Sequence, residues 1–179
     1  MEIINTKLEG VKVIVPTVFK DDRGYFFESY QKIKWELNTD FVQDNEAFSE
    51  KGVLRGLHYQ LPPHAQSKLV RVVNGEVLDV VVDIRPGSPT FGQHLSVILS
   101  GTNFKQLFVP KGFAHGYVVL SDTALFAYKC DAYYHKDSEA GIRWDDINLG
   151  IDWILPSNQL KLSEKDKSQP SWQHHKAFE

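Results

Sequence analysis

The sequence predicts a mainly β protein with a few short helical additions, and three observations carry that prediction. Short runs rich in Val, Ile, Leu, Phe and Tyr dominate the chain, most of them bounded by Gly, Pro, Asn, Asp or Ser, the pattern of an all-β sandwich or barrel. Asn74-Gly75 stands between two β-branched runs and suits the positive φ angles of a type I′ hairpin turn. Helical periodicity is thin by comparison.

Val11 to Lys20 is the first run, interrupted at Pro16, and Val53 to Gln60, Lys68 to Val73 and Glu76 to Arg85 follow. His94 to Leu99, Gln106 to Val109, Tyr117 to Leu120 and Ala124 to Cys130 complete the series. Tyr30, Ile33 and Leu37 have the spacing of one amphipathic helix, with Trp35 off that stripe. Ser163-Glu164-Lys165-Asp166 reads as a capping-box variant that opens a short helix or turn.

The run from Glu76 to Arg85 carries more than fold information. Side chains alternate along a strand, so Leu78, Val80, Val82 and Ile84 share one face, while Val77, Asp79, Val81, Asp83 and Arg85 share the other. A sheet with one face in water gives this pattern. So does a barrel or jelly roll whose interior holds a polar cavity, with Asp79 and Asp83 aimed into it. Periodicity leaves both open.

A chain of 179 residues is the size of one domain and buries roughly 70% of the surface its unfolded form exposes. It shows no internal repeat, low-complexity tract or linker, so residues 1–179 are expected to form a single domain. With 42% hydrophobic and 24% charged residues, wholesale disorder is excluded. Cys130 is the lone cysteine, which points to a reducing, cytoplasmic setting. No apolar run approaches the roughly 18 residues of a membrane span, and Met1 to Leu8 has no signal-peptide pattern. The net charge of −3 argues against nucleic-acid binding through bulk charge. Any anion must be held by a few placed cations.

Of the seven histidines, His174 and His175 fall in a polar tail expected to be solvated. His64 falls in a loop after Pro62-Pro63, and His94 and His135 have no chemical company nearby in sequence. His58 and His115 differ, because each sits in a strand or strand-entry context among glycines. Pro110-Lys111-Gly112-Phe113-Ala114-His115 resembles the second motif of the cupin superfamily of β jelly rolls. A metal-binding cupin would bring a second histidine two residues after the first, because several N/O ligands must converge on the ion. This chain has His58-Tyr59-Gln60, so a cupin without a metal is the expectation.

A set of ordered segments is more specific. Asp22 to Glu28, Gln43-Asp44-Asn45, Gly52 to Gln60, Val80 to Gly92, Val109 to Tyr117, Tyr128 to Tyr134 and Leu162 to Asp166 occur in the order and spacing of one family. From about residue 8 to 170 the chain resembles the dTDP-4-dehydrorhamnose 3,5-epimerases, leaving 171–179 as the polar tail. The resemblance implies a cupin-like antiparallel β jelly roll. It also implies inversion at C3 and C5 of a dTDP-linked 4-keto-6-deoxyhexose through enolates, in the route to dTDP-L-rhamnose. No redox cofactor or metal is called for, because both carbons flank the C4 ketone.

Carried over residue by residue, the resemblance makes His58 the base and Asp166 the carboxylate that orients its ring. Lys68 becomes the cation beside the C4 oxygen, and Tyr128 the acid that reprotonates C5. Asp83 is expected to hydrogen-bond the catalytic imidazole, and His115 to line the sugar pocket. Arg23 and Arg55 match diphosphate-binding positions, with Arg23 supplied by the partner subunit of a homodimer. Phe26, Glu28, Gln43, Asn45 and Tyr134 match positions around the thymidine and sugar.

Two features depart from simple expectation. Strict alternation puts Arg55 and His58 on opposite faces, so serving one pocket requires a bulge, which Gly56 permits. The family pattern has a small hydroxyl residue two positions after Asn45, where this chain has Ala47. Related proteins invert one carbon only on the same scaffold, which leaves a single-site epimerase as the alternative. A non-catalytic sugar-nucleotide-binding jelly roll and a metal-dependent cupin oxygenase are the alternatives from other classes.

Overall fold

The computed structural model describes Met1–Glu179. Two antiparallel sheets face each other. The six-stranded sheet runs β1 (Glu2–Asn5), β2 (Lys12–Val15), β10 (Gln106–Val109), β7 (Lys68–Asn74), β12 (Thr123–Cys130), β5 (Gln43–Glu50). The five-stranded sheet runs β13 (Glu139–Gly141), β6 (Leu54–Gln60), β11 (Phe113–Val119), β8 (Glu76–Asp83), β9 (His94–Ser100). A small hairpin of β3 (Phe19–Asp21) and β4 (Gly24–Phe26) pairs with neither. Two one-turn α-helices, α1 (Lys32–Trp35) and α2 (Glu164–Lys167), and three short 3₁₀ turns at Lys136–Ser138, Ser157–Gln159 and Trp172–His174 complete the regular elements. Consecutive strands repeatedly change sheet, which makes the architecture a jelly roll. No helix is long and apolar enough to cross a membrane.

That connectivity overturns the hairpin expected at Asn74-Gly75. β7 and β8 lie in different sheets and do not pair. Gly75 takes φ 84° but Asn74 does not take a positive φ, so no type I′ turn forms. The pair is instead a corner between sheets, where a Cβ on Gly75 would stand 2.1 Å from the Thr123 carbonyl oxygen.

The mixed face of β8 points between the sheets. Val77 and Val81 join Val70, Val72, Leu107, Phe113, Tyr117 and Phe126 in the inner core. The wholly aliphatic face, Leu78, Val80, Val82 and Ile84, lies on the outer side of the five-stranded sheet, beneath Ile142, Leu149 and Trp153. Both faces of this sheet are therefore buried, and the interior face is the one that tolerates polar residues. A third cluster, Ile14, Trp35, Leu37, Leu69 and Phe108, covers the outer side of the six-stranded sheet.

Three further expectations change. The helix near residue 33 is one turn only, too short to present a stripe, and it buries Trp35 while Ile33 is exposed. The C-terminal tail is solvated at His174 but not throughout. His175 stacks on Trp172 with ring centroids 4.4 Å apart, Trp172 meets Phe91 at 4.9 Å, and the Tyr59 hydroxyl donates to the Lys176 carbonyl at 2.6 Å. His135 has company after all, its ring stacked on His64 at 3.8 Å.

Candidate active site

β6 and β11 set the first wall of the site. His58 is the Cα partner of His115, and Arg55 that of Tyr117. Gly56 and Leu57 therefore oppose Gly116 alone, a bulge that restores Arg55 to the face of His58. Gly56 has φ 140°, and a Cβ there would stand 2.5 Å from Gly116 Cα. Two glycines are thus needed for this approach, and the bulge foreseen at Gly56 is present.

The opposite wall belongs to the six-stranded sheet. Cys130 on β12 pairs with Lys68 on β7 and with Gln43 on β5, while Tyr128 pairs with Val70 and Asn45. Lys68, Tyr128, Gln43 and Asn45 thus form a patch facing His58 and His115. A cavity of about 280 Å³ between the walls is lined by Arg55, His58, Lys68, His115, Tyr128 and Asp166, among others. A second, of about 200 Å³, shares His58, Lys68 and Tyr128 and adds Gln43, Asn45, Tyr134 and Glu139.

α2 delivers the carboxylate. Ser163 caps this helix by accepting from the Asp166 backbone N–H at 3.1 Å. Its hydroxyl also donates to Asp166 Oδ2 at 2.6 Å, and the other carboxylate oxygen takes His58 Nε2 at 2.6 Å. Burial alone would raise the Asp166 pKa, but the hydrogen bonds from His58 and Ser163 outweigh it and hold the group below the usual carboxylate value. The carboxylate is therefore ionised at neutral pH. It fixes the proton of His58 on Nε2 and leaves the lone pair on Nδ1. Asp166 is both a capping-turn residue and a ring-orienting one.

His115 has its own carboxylate. Its Nε2 lies 2.9 and 3.0 Å from the two oxygens of Asp79, which is fully buried. This corrects the role expected of Asp83. Asp83 shares a face with Asp79 but sits at the end of β8, opposite Phe113. There it binds Arg85 at 2.6 and 2.9 Å and the hydroxyls of Ser88 and Thr90 at 2.6 Å, and no histidine. Burial works to raise its pKa, yet these donors bring it down to about 2. Its contacts are those of a turn anchor. Alternation treats Asp79 and Asp83 alike; position along the strand separates them.

Burial pushes the Lys68 ammonium below its usual pKa, an effect eased by Cys130, Asp79 and Glu139. Burial raises the Tyr128 phenol, as does proximity to Cys130 and Tyr117, with Arg55 opposing. The phenol is thus a protonated donor at neutral pH. Tyr134 reaches the site through Glu139, to which its hydroxyl donates at 3.0 Å, and through Gln43, whose Oε1 accepts its backbone N–H at 3.2 Å. Gln43 in turn donates to Asn45 at 3.0 Å.

Arg23, Phe26 and Glu28 do not join this cavity within one chain. Arg23 lies in the β3–β4 turn with its side chain 90% exposed and paired to Asp21 at 2.6 Å. Phe26 is 66% exposed, and Glu28 pairs with Lys34 at 2.6 Å. Residues that sequence reasoning missed include Asp79 as the His115 partner, and Ser163, Lys165 and Glu139. For Asp79 and Ser163 the signal was local: two acids shared one strand face, and a cap stood in the same turn as the carboxylate matched to His58.

The family model for dTDP-4-dehydrorhamnose 3,5-epimerase matches residues 5–174. The dTDP-4-dehydrorhamnose 3,5-epimerase of Escherichia coli K12 is 50% identical over 171 residues, 93% of this chain and 92% of the relative. The crystal structure of dTDP-6-deoxy-D-glucose-3,5-epimerase from Legionella pneumophila, in complex with dTDP-4-keto-L-rhamnose, matches with a TM-score of 0.93. It is 52% identical and covers 97% of this chain and 93% of its own. A 3′-monoepimerase from Streptomyces bikiniensis, in complex with dTDP-quinovose, matches with a TM-score of 0.87 at 31% identity, over 94% of this chain and 86% of its own.

A cupin-type jelly roll with acid–base groups on both inner walls, and relatives of this kind, define an isomerase. More narrowly, the chain belongs to the dTDP-4-dehydrorhamnose 3,5-epimerase family.

Proposed function

We propose that the chain inverts C3 and C5 of dTDP-4-dehydro-6-deoxy-D-glucose to give dTDP-4-dehydro-L-rhamnose, a step toward dTDP-L-rhamnose. The observation that carries this reading is the opposition of His58 and Tyr128 on facing sheets of one cavity. Inversion requires a base on one face of the carbon and an acid on the other. Binding alone requires neither, which disfavours a passive sugar-nucleotide receptor.

His58 Nδ1 takes the proton from the carbon beside the ketone, and the C–H electron pair moves onto the C4 oxygen as an enolate. Asp166 stabilises the imidazolium through Nε2. The Lys68 ammonium stands at the developing oxyanion, where a compact point charge suits localised negative charge. Tyr128 donates its proton to the opposite face of C5, water in the cavity supplies the proton that returns to C3, the carbonyl re-forms after each step, and both side chains return to their starting states by proton exchange with solvent. The buried His115–Asp79 pair lines the sugar pocket. Positioned proton transfer of this kind contributes about 10²–10⁴-fold. The chemistry draws its driving force from the ketone and calls for no cofactor.

Arg55 holds the diphosphate, and Gln43, Asn45 and Tyr134 hold the nucleoside side. Arg23, Phe26 and Glu28 complete the site of a partner subunit in a homodimer, which gives a role to the exposed Arg23 and Phe26. The whole chain, 1–179, works as one domain. Its buried free thiol, Cys130, suits the cytoplasm.

The test is proton NMR of the product formed from dTDP-4-dehydro-6-deoxy-D-glucose. Coupling constants of the L-lyxo configuration are expected; recovery of unchanged substrate overturns the reading. The relationship to a 3′-monoepimerase favours one second reading, inversion at a single carbon, which the same spectra reveal.

A further inference from the structure

Tyr117 Oη is the one buried side-chain polar atom with no partner at full hydrogen-bond geometry, although Ser49 and Arg55 stand close beside it. Buried hydroxyls are almost always paired, and leaving one unpaired costs stability. The ring cannot turn to find a partner, because it stacks on Phe126 with centroids 4.1 Å apart and planes 14° apart. Burial raises the pKa of the phenol, while Ser49 and Arg55, its polar neighbours, oppose that shift. Those neighbours are already engaged with each other: Arg55 Nε and Nη2 both donate to Ser49 Oγ, each at 3.2 Å. Two long bonds to one oxygen, with no carboxylate partner, hold the guanidinium loosely.

Tyr117 lines the same cavity as Arg55, beside Ala47, which has no polar side-chain atom to offer a ligand. We propose that Tyr117 is a positioning residue for the diphosphate of the substrate. When Arg55 leaves Ser49 for a phosphate oxygen, the phenol donates to the vacated Ser49 Oγ and accepts from the guanidinium, holding its fork toward the ligand. The complex thus gives full hydrogen-bond geometry to a hydroxyl that lacks it among the protein's own atoms. This inference rests on the reading of Arg55 as the diphosphate ligand.

The test is Tyr117→Phe in the full chain, with pyrophosphate, dTDP and thymidine as calorimetric probes. Affinity for pyrophosphate and dTDP is expected to fall about tenfold to a hundredfold, the loss of one charge-assisted hydrogen bond, while thymidine binds as before. The melting temperature of the free protein should not fall, because an unpaired polar atom has been removed, and KM should rise more than kcat falls. Unchanged pyrophosphate affinity overturns the proposal. So does a lowered melting temperature with all three ligands weakened alike, which is the signature of a structural role only. If Tyr117→Phe behaves as expected while the parent protein inverts neither carbon, the anion site stands and the epimerase reading falls.

Discussion

His58 and His115 are Cα partners across β6 and β11, yet their rings are held by carboxylates from different parts of the chain. His58 turns to Asp166, 108 residues away, and His115 turns to Asp79 on the neighbouring strand. The first ring is partly exposed to the cavity, while the second pair is buried. Equivalent positions in a β ladder are thereby given different tasks: one imidazole is accessible for proton transfer, and the other is fixed in the wall.

Asp166→Asn should leave the fold intact and cut turnover by about 10²–10⁴-fold, since the amide can no longer hold the required tautomer or stabilise the imidazolium. Circular dichroism and deuterium uptake into the substrate, measured on the same sample, check both halves. Turnover within twofold of the parent would remove Asp166 from the mechanism.

Lys68→Met should separate stability from activity. The ammonium is desolvated and forms no ion pair within the protein, so methionine of similar length is expected to raise the melting temperature by about 2–4 °C. Proton exchange should fall about 10²–10³-fold with the loss of oxyanion stabilisation. Calorimetry and exchange rates report the two effects independently.

Acid should loosen the turn after β8. The pKa values of Asp83, at about 2, and of Asp166 are depressed in the folded state. Their stabilisation is therefore fully present above the unfolded value of about 4 and is lost as pH falls through the folded value, near 2 for Asp83. Urea midpoints should decline between pH 4 and pH 2. Asp83→Asn should cost about 3 kcal/mol at neutral pH and flatten that decline, without altering which substrate carbons exchange.

The proposal that Arg23 completes a partner subunit's site predicts complementation. His58→Ala and Arg23→Ala homodimers should each be nearly inactive, while subunits mixed in equal amounts and allowed to reassort should recover up to about a quarter of parental sites. No recovery in a reassorted mixture would place Arg23 outside the partner's site.

The β architecture was legible because the strands from Leu54 to Cys130 carry β-branched runs with clear turn residues between them. β5 was not, because its inward residues Gln43, Asn45 and Ala47 line the cavities and Ser49 is a buried polar residue, which hides the apolar alternation. Asn74-Gly75 marked a real reversal, but local turn chemistry does not say whether the next strand stays in the same sheet. The facing of His58 by Asp166 was not visible in spacing, since Ser163 and Asp166 form an ordinary helix cap whose second use depends on tertiary placement. Asp79 and Asp83 differ only in distance along one strand, and alternation cannot rank them.

The most direct test of the opposed base and acid is NMR of dTDP-4-dehydro-6-deoxy-D-glucose with the protein in deuterated water. The parent protein should place deuterium at both C3 and C5 with inversion at both. His58→Ala should abolish exchange while nucleotide binding persists, and Tyr128→Phe should impair reprotonation at C5 more than proton removal. Exchange without inversion in the parent, or undiminished exchange in His58→Ala, would contradict the account.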